Sequence, residues 1–303
     1  MMRTGNFILR QSKNLLENKQ QAIMFAVLFA LLPFASWLSV ALVLLVTLRR
    51  GAKTGFEVML PALVIHSVPL MMLVPIESAL INTLIIYIPC YLAALVLRST
   101  TSWQAVFGVF FLQALIGFTA IHLFAPDFIL AQFSQFKNIL GQFQEYKQLL
   151  DAGTDGISTF ILAQLFFGIQ ILSVVVSALI SLIFARSIQA KLFVPGGFSS
   201  ELLAFRSGRL SFLILMAVSI ASYFEISYAI NLLPLVLSYF LISGFALAFY
   251  ALARKRQLRI MTLLVLLILL KPFFVLFAYV LLGALDSLFN FRLYLPVRVR
   301  EST

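Results

Sequence analysis

Ionisable residues inside long apolar runs are the residues of this chain best suited to chemistry. Lys271 is the clearest of them, because it stands in the middle of the apolar run 260–285. A charged side chain in the lipid phase is costly, and such residues often mark a binding site or an ion pathway. Lys271 therefore needs a carbonyl, a carboxylate or a water-filled cavity, unless its ammonium group reaches the membrane surface. We predict it as a binding residue.

A polar signature closes the same run. Asp286 and Asn290 are four residues apart, so they share one face if the helix continues that far. Arg292 then lies on a neighbouring face, where it can meet a phosphate head group or a loop carboxylate. The alternative is an anchor at the membrane boundary that fixes the depth of the last helix. Under the first interpretation, these three residues are a second candidate binding site.

The proline-rich region 57–97 supplies the third group of candidates, His66, Glu77 and Asn82. Prolines in membrane helices free backbone carbonyls that need other partners, and broken helices form the midplane binding sites of transporters. Ordinary kinks and a hairpin turn are the alternative explanation. Glu77 also fits an outer membrane boundary, where it is easily solvated.

No catalytic motif accompanies these residues. The sequence has no nucleotide-binding glycine loop and no HExxH, CxxC or GxSxG pattern. The two histidines, His66 and His122, fit helix interfaces better than a shared metal site. The single cysteine, Cys90, excludes an internal disulfide and a cysteine-built metal site. We expect a protein that is not an enzyme and that uses no cofactor or bound metal.

Composition places the chain in a lipid bilayer. Of its 303 residues, 62% are hydrophobic and 11% are charged, whereas soluble domains are about 45–50% apolar and about 25% charged. The net charge of +11 is explained by basic residues in cytoplasmic loops. No basic surface domain exists to bind nucleic acid. We therefore predict an all-α, polytopic helical bundle in a bacterial inner membrane, with lipid as its principal partner.

The predicted organisation is a cytoplasmic lead over residues 1–21, one transmembrane domain over 22–285 and a polar C-terminal tail over 286–303. The transmembrane domain contains about eight apolar segments. Basic loops are expected on the cytoplasmic side. These loops lie near residues 49–53, 98, 186–209 and 254–259.

Two apolar blocks leave the path of the chain open. Block 22–48 contains Pro33 and is either one kinked helix or two short segments that enter and return. Basic clusters on both sides of the block favour the return. The Lys271-Pro272 step poses the same question, since a single crossing places Arg292 outside and a return places it inside.

The one long segment outside the apolar runs is 126–155. Its apolar residues recur at spacings of four and three, which predicts an amphipathic helix. The stripe consists of Ile129, Phe133, Phe136, Leu140 and Phe143. We predict a helix that lies in the membrane interface on the outer side. The alternative is that the stripe caps a cavity or binds a partner.

Three short motifs carry a resemblance to a known family. The closing G-x-x-D-x-x-F-N-F-R comprises Gly283, Asp286, Phe289, Asn290, Phe291 and Arg292. It resembles the ending of the YybS-like family, a group of predicted bacterial membrane proteins of unknown function. Arg49-Arg50-Gly51 and the segment GFALAFYALARK, which opens at Gly244, agree with this resemblance. Lys271 and the 126–155 segment depart from the family pattern.

The resemblance implies more about architecture than about chemistry. The YybS-like family is distantly similar to the membrane-embedded substrate-binding subunits of energy-coupling-factor vitamin transporters. This similarity implies a compact helical bundle around a solute cavity, with other membrane subunits as partners.

Two functions from different classes follow from the sequence. The first is a non-enzymatic solute-binding or transport-type protein whose cavity is lined by region 57–97 and Lys271. The second is a structural or assembly factor that binds another membrane protein through the 126–155 stripe. The sequence does not specify the solute.

Overall fold

The computed structural model describes residues 11–32, 35–143, 156–252 and 257–294. All regular secondary structure in these ranges is helical, which confirms the predicted all-α class. Residues 1–10 of the expected lead, 144–155 of the expected amphipathic segment, and 295–303 of the tail lie outside the described residues.

The helices follow one another with short connections. After residues 11–17 (α1) they are α2 Lys19–Leu31, α3 Ser36–Arg50, α4 Ala52–Met71, α5 Ile76–Thr100, α6 Trp103–Phe124, α7 Phe128–Gly141, α8 Thr159–Phe193, α9 Gly197–Ala204, α10 Arg209–Tyr223, α11 Ser227–Leu252, α12 Gln257–Leu270 and α13 Pro272–Phe289. A short 3₁₀ helix, Phe291–Leu293, follows α13.

Six of the described helices are long and apolar enough to cross a membrane, which needs about 20 residues. They are α4, α5, α6, α8, α11 and α13. Between 28% and 44% of the most apolar window of each is buried within the chain, so most of their apolar surface is left to face lipid. The protein is thus a multi-pass membrane protein. The predicted count of about eight apolar segments is not confirmed as a count of spanning helices, because α2 and α10 are shorter apolar helices.

The chain divides into two compact units. Unit 1 comprises Met1–Gln113 and Ser173–Glu201, and unit 2 comprises Ala114–Leu172 and Leu202–Thr303. Helices α6 and α8 each contribute one part to each unit.

In unit 1 the first apolar block forms a hairpin. The Ser39 hydroxyl of α3 donates to the Ala26 carbonyl of α2 at 2.7 Å, and the Arg50 guanidinium donates to the Glu17 carbonyl. The start of α3 therefore contacts the middle of α2, and the end of α3 contacts Glu17, which precedes α2. The two helices are antiparallel, so the chain enters and returns. The predicted return is confirmed, although Pro33 itself lies outside the described residues.

In unit 2 the last apolar run also reverses. The Tyr279 hydroxyl lies 3.3 Å from the Leu264 carbonyl oxygen, whereas a straight helix would separate these residues by about 22 Å. The reversal occurs at Lys271, whose φ of −143° and ψ of 74° are not helical. Pro272, which has no amide hydrogen to donate, is the first residue of α13.

Helices α11 and α13 of unit 2 pack at very short distance. A Cβ on Gly244 would overlap the Tyr279 carbonyl oxygen, and a Cβ on Gly283 would overlap that of Phe240. Small residues at these positions allow the two backbones to touch, as is common for membrane helices.

The same two helices run parallel. Gly283 packs against Gly244, and further along both helices Arg292 lies over the Tyr250 ring at 5.4 Å. Both helices therefore end at the same end of unit 2. Arg206, which precedes α10, also meets α13 there. The tail thus starts at the end of unit 2 that contains Arg206 and Arg292, which we call its basic end. The returning path of the chain is therefore confirmed.

This path predicts the side on which the tail can be labelled. In a Cys90→Ala background, Tyr294→Cys should react with a membrane-impermeant maleimide in inverted vesicles and not in intact cells. Glu225→Cys, in the turn between α10 and α11, and Lys271→Cys should react in intact cells. Labelling of Tyr294→Cys from outside would mean that residues 257–289 cross the membrane once.

Candidate functional site

A fully buried carboxylate, Asp286, stands at the end of α13. Arg292 Nε lies 3.4 Å from its Oδ2 atom and Arg206 Nε lies 3.9 Å from the same atom. The Phe291 amide donates to Oδ1 at 3.0 Å. Two guanidinium groups thus compensate one buried charge, as a buried carboxylate requires. We call Arg206, Asp286 and Arg292 the Asp286 cluster.

The two arginines also bind backbone carbonyls at the end of α13. Arg206 donates from Nε to the Asp286 carbonyl at 2.9 Å and from Nη2 to the Ser287 carbonyl at 3.0 Å. Arg292 donates to the Phe205 carbonyl. The last carbonyls of a helix have no partner within the helix. The cluster therefore caps α13 and fixes it to the segment before α10.

Asn290 makes this geometry possible. It has a left-handed backbone, with φ 50° and ψ 59°, and its amide donates to the Asp286 carbonyl at 3.0 Å. Asparagine tolerates this conformation better than most residues. The helix therefore ends at Phe289, and Asn290 turns the chain so that Arg292 comes back to Asp286. Asp286 and Asn290 would share a face on a continuing helix, but because the helix ends at Phe289 they do not.

The Asp286 cluster is closed within the chain. Burial lowers the pKa of the Arg292 guanidinium, whereas the neighbouring Asp286 carboxylate raises it. The candidate partner of Arg292, a carboxylate or a phosphate, is thus already supplied by Asp286 in the fold. The arrangement is suited to holding helices together.

Lys271, which stands in the middle of an apolar run in the sequence, lies between two helices in the structure. It is exposed at the tip of the α12–α13 reversal. Pro272 and Gly283 are eleven residues apart, about 16 Å along the helix, and α11 extends about 20 Å from Ser227 to Phe240, next to Gly283. The tip is therefore nearly level with the start of α11. The sequence left open whether the chain crosses once or returns at this step, and the structure shows the reversal.

The three candidates in region 57–97 do not form one site. His66 is buried in α4, with its Nδ1 atom 3.1 Å from the Thr83 hydroxyl of α5. Glu77 and Asn82 are exposed on α5.

Other buried polar groups near His66 pair with one another. The Tyr87 ring packs edge-on against His66, and its hydroxyl donates to Ser39 Oγ at 2.8 Å. Ser39 in turn donates to the Ala26 carbonyl. Hydrogen bonds between four segments therefore occupy the polar interior of unit 1, where the sequence predicted a solute cavity.

A cavity does exist at the end of unit 1 where α3 and α8 terminate. Its volume is about 500 Å³ and it is lined by Lys13, Leu16, Glu17, Arg49, Arg50 and Phe193. We call it the basic cavity. The sequence has basic clusters on both sides of the first apolar block, but no motif in it indicates that they form a site. The return of α2 and α3 brings these clusters together.

Aromatic and ionic contacts arrange the cations of the basic cavity. The Arg49 guanidinium lies 3.8 Å from the centre of the Phe193 ring, a cation–π contact. Lys13 Nζ lies 3.9 Å from Glu17 Oε1, and both side chains are about two-thirds exposed. An exposed ion pair of this kind contributes little to stability. Three cations and one carboxylate give the cavity a net positive charge.

No protein-family model, curated protein or solved structure matches this chain.

The Asp286 cluster predicts a specific loss of stability. Asp286→Asn keeps the shape of the side chain but leaves two guanidinium groups facing each other, so we expect a loss of about 3 kcal/mol. Chemical unfolding of the purified protein in detergent measures it. Asp127→Asn is the matched control, because Asp127 is exposed and its side chain makes no capping hydrogen bond. Equal stability of the two variants would contradict a structural role for Asp286.

Proposed function

We propose that this chain is a non-enzymatic membrane protein that binds a phosphate-bearing anion in the basic cavity of unit 1. The supporting observation is that three cationic side chains and one carboxylate surround a single cavity. Guanidinium groups present N–H donors in a fixed fork that matches the oxygens of a phosphate, and lysine adds a mobile point charge. This assignment keeps the solute-binding class but moves the site from Lys271 to Lys13, Arg49 and Arg50.

The size and lining of the cavity support a small ligand with an apolar part. A volume of about 500 Å³ lies within the range of about 300–1,000 Å³ typical of small-molecule sites. Leu16 and Phe193 add apolar surface beside the charges. These lining side chains favour binding and orientation of a ligand over its chemical conversion.

The proposal places the cavity on the cytoplasmic side of a bacterial inner membrane. Arg49, Arg50 and Lys53 follow the first returning hairpin, and basic residues of this kind are concentrated in cytoplasmic loops. If the ligand is transported actively, a partner subunit or an ion gradient must supply the energy, because the sequence has no ATPase motif. A partner subunit would agree with the YybS-like resemblance.

Substitutions that remove a cation or the carboxylate of the cavity should change its affinity for an anion in opposite directions. Removing a cation should weaken binding of glycerol phosphate by about fivefold in Lys13→Gln, and removing the carboxylate should strengthen it by about fivefold in Glu17→Gln. Isothermal titration calorimetry of the purified protein measures both. Misfolding does not account for tighter binding, so the Glu17→Gln result is the more decisive.

Lys191→Gln is the matched control for these variants. Lys191 is an exposed cation in the last turn of α8, close in sequence to Phe193, but it does not line the cavity. It should bind glycerol phosphate like the unaltered protein. If all three variants bind alike, the basic cavity is not the anion site and the proposed function is wrong.

The surface of α7 favours a second candidate function, binding of another membrane protein. Ile129 and Phe133 are buried, and the Phe136 ring stacks on Phe166 at 4.4 Å. Further along the helix, Ile139 is 57% exposed. This apolar side chain is thus largely exposed within unit 2.

Photo-crosslinking distinguishes a protein partner from lipid at this surface. A photoreactive amino acid at Ile139 should give a discrete, higher-mass protein adduct in cells if α7 binds a partner subunit. The same group at the buried Phe133 is the control and should give no such adduct. Lipid adducts alone at Ile139 would support the interface-lying helix and remove the support for an assembly factor.

A further inference from the structure

We infer that the anion in the basic cavity is the head group of an anionic phospholipid, with its acyl chains in the cytoplasmic leaflet. This inference rests on the proposed function and names the class of its ligand. Three observations support this lipid assignment: the position of the cavity, the form of α1 and the apolar surface beside the cavity.

The basic cavity lies where membrane helices end. Arg49 and Arg50 are the last two residues of α3, and Phe193 is the last residue of the spanning helix α8. Only Gly51 separates Arg50 from α4, which is itself a spanning helix. Since α4 has 20 residues, about the length that the hydrocarbon core requires, its start at Ala52 lies at the level of the lipid head groups. A phosphate at this depth belongs more naturally to a lipid than to a solute in the aqueous phase.

Helix α1 has the form of a surface helix beside this cavity. Ser12 and Leu16 are four residues apart and buried, so they share one face. Lys13 and Glu17 occupy the next face and are exposed. Asn18 then caps α2 by accepting a hydrogen bond from the Gln20 amide at 3.0 Å. The cap marks the start of a separate helix, so α1 lies at the entrance to the membrane segment and presents Lys13 at its surface.

An apolar column begins next to the cavity. Met24, Leu28 and Leu31 of α2 are exposed and recur at spacings of four and three, so they form one stripe. The stripe starts seven residues after Glu17 and lies on a short apolar helix. An acyl chain can lie along such a surface while its phosphate remains at the cationic end.

The charge balance selects an anionic lipid. Three cations against one carboxylate leave a net charge that suits a phosphodiester without a compensating amine. Basic pockets at the cytoplasmic ends of membrane helices recognise anionic head groups in this way. A zwitterionic head group would place its ammonium against Arg49, Arg50 and Lys13.

Two pairs of probes test the inference with the purified full-length chain in detergent. Dihexanoyl phosphatidylglycerol and glycerophosphoglycerol share a head group and differ only in their acyl chains. Dihexanoyl phosphatidylcholine keeps the chains but is zwitterionic. We expect phosphatidylglycerol to bind at least tenfold more tightly than either of the other two probes. Glu17→Gln should strengthen phosphatidylglycerol binding about fivefold and leave phosphatidylcholine binding unchanged.

Each contrary outcome has a separate meaning. Equal binding of phosphatidylglycerol and glycerophosphoglycerol, both sensitive to Glu17→Gln, would overturn the lipid assignment and leave the proposed function standing. Equal binding of the two lipids, with no effect of Glu17→Gln or Lys13→Gln, would show partition into the micelle and overturn both. The Lys191→Gln variant should bind each probe like the unaltered protein, which separates the cavity from the general basic surface.

Discussion

A chain in a bilayer must satisfy its backbone hydrogen-bonding groups internally, and this requirement governs where the present chain can reverse. Two short hairpins reverse the chain, between α2 and α3 in unit 1 and at Lys271-Pro272 in unit 2. At Lys271 the reversal takes a single non-helical residue, so few backbone groups lose their helical partners. In unit 1 the reversal brings basic clusters together, and in unit 2 it returns the chain to the basic end of the unit.

The Asp286 cluster solves the same problem at the other end of α13. The carbonyls that a helix leaves unpaired are taken up by Arg206, and the positive charge required for this is balanced by Asp286. The close contact of Gly244 and Gly283 brings α11 and α13 into register immediately before the cluster. The closing motif from Gly283 to Arg292 is therefore explained by packing and capping.

The sequence predicted the fold class well because hydropathy reports lipid exposure directly. It was less informative where a single apolar block hides a reversal, as at Lys271, since hydropathy alone does not register a change of direction. Basic residues on both sides of block 22–48 did predict the first return, because orientation depends on charge. The second return was left open, because positions 292, 298 and 300 are compatible with either path in sequence.

Contacts between distant residues set the limit for predicting the sites. Arg206 is 80 residues from Asp286 and carries no motif that would link them. The contact of Arg49 with Phe193 is equally absent from the sequence pattern, because only the folded unit places the ends of α3 and α8 side by side. His66 could be assigned to a helix interface from sequence, but its partner Thr83 could not.

Two groups of basic residues of similar appearance in sequence thus have different physical roles. Arg206 and Arg292 are largely buried, share one fully buried carboxylate and bind backbone carbonyls, so the fold itself uses their hydrogen-bonding capacity. Lys13, Arg49 and Arg50 surround an accessible cavity and exceed the one carboxylate there in charge. Buried charges must be compensated within the protein, whereas charges at the head-group level can be compensated by the membrane. This difference, rather than the number of arginines, supports a structural role for the first group and the proposed ligand for the second.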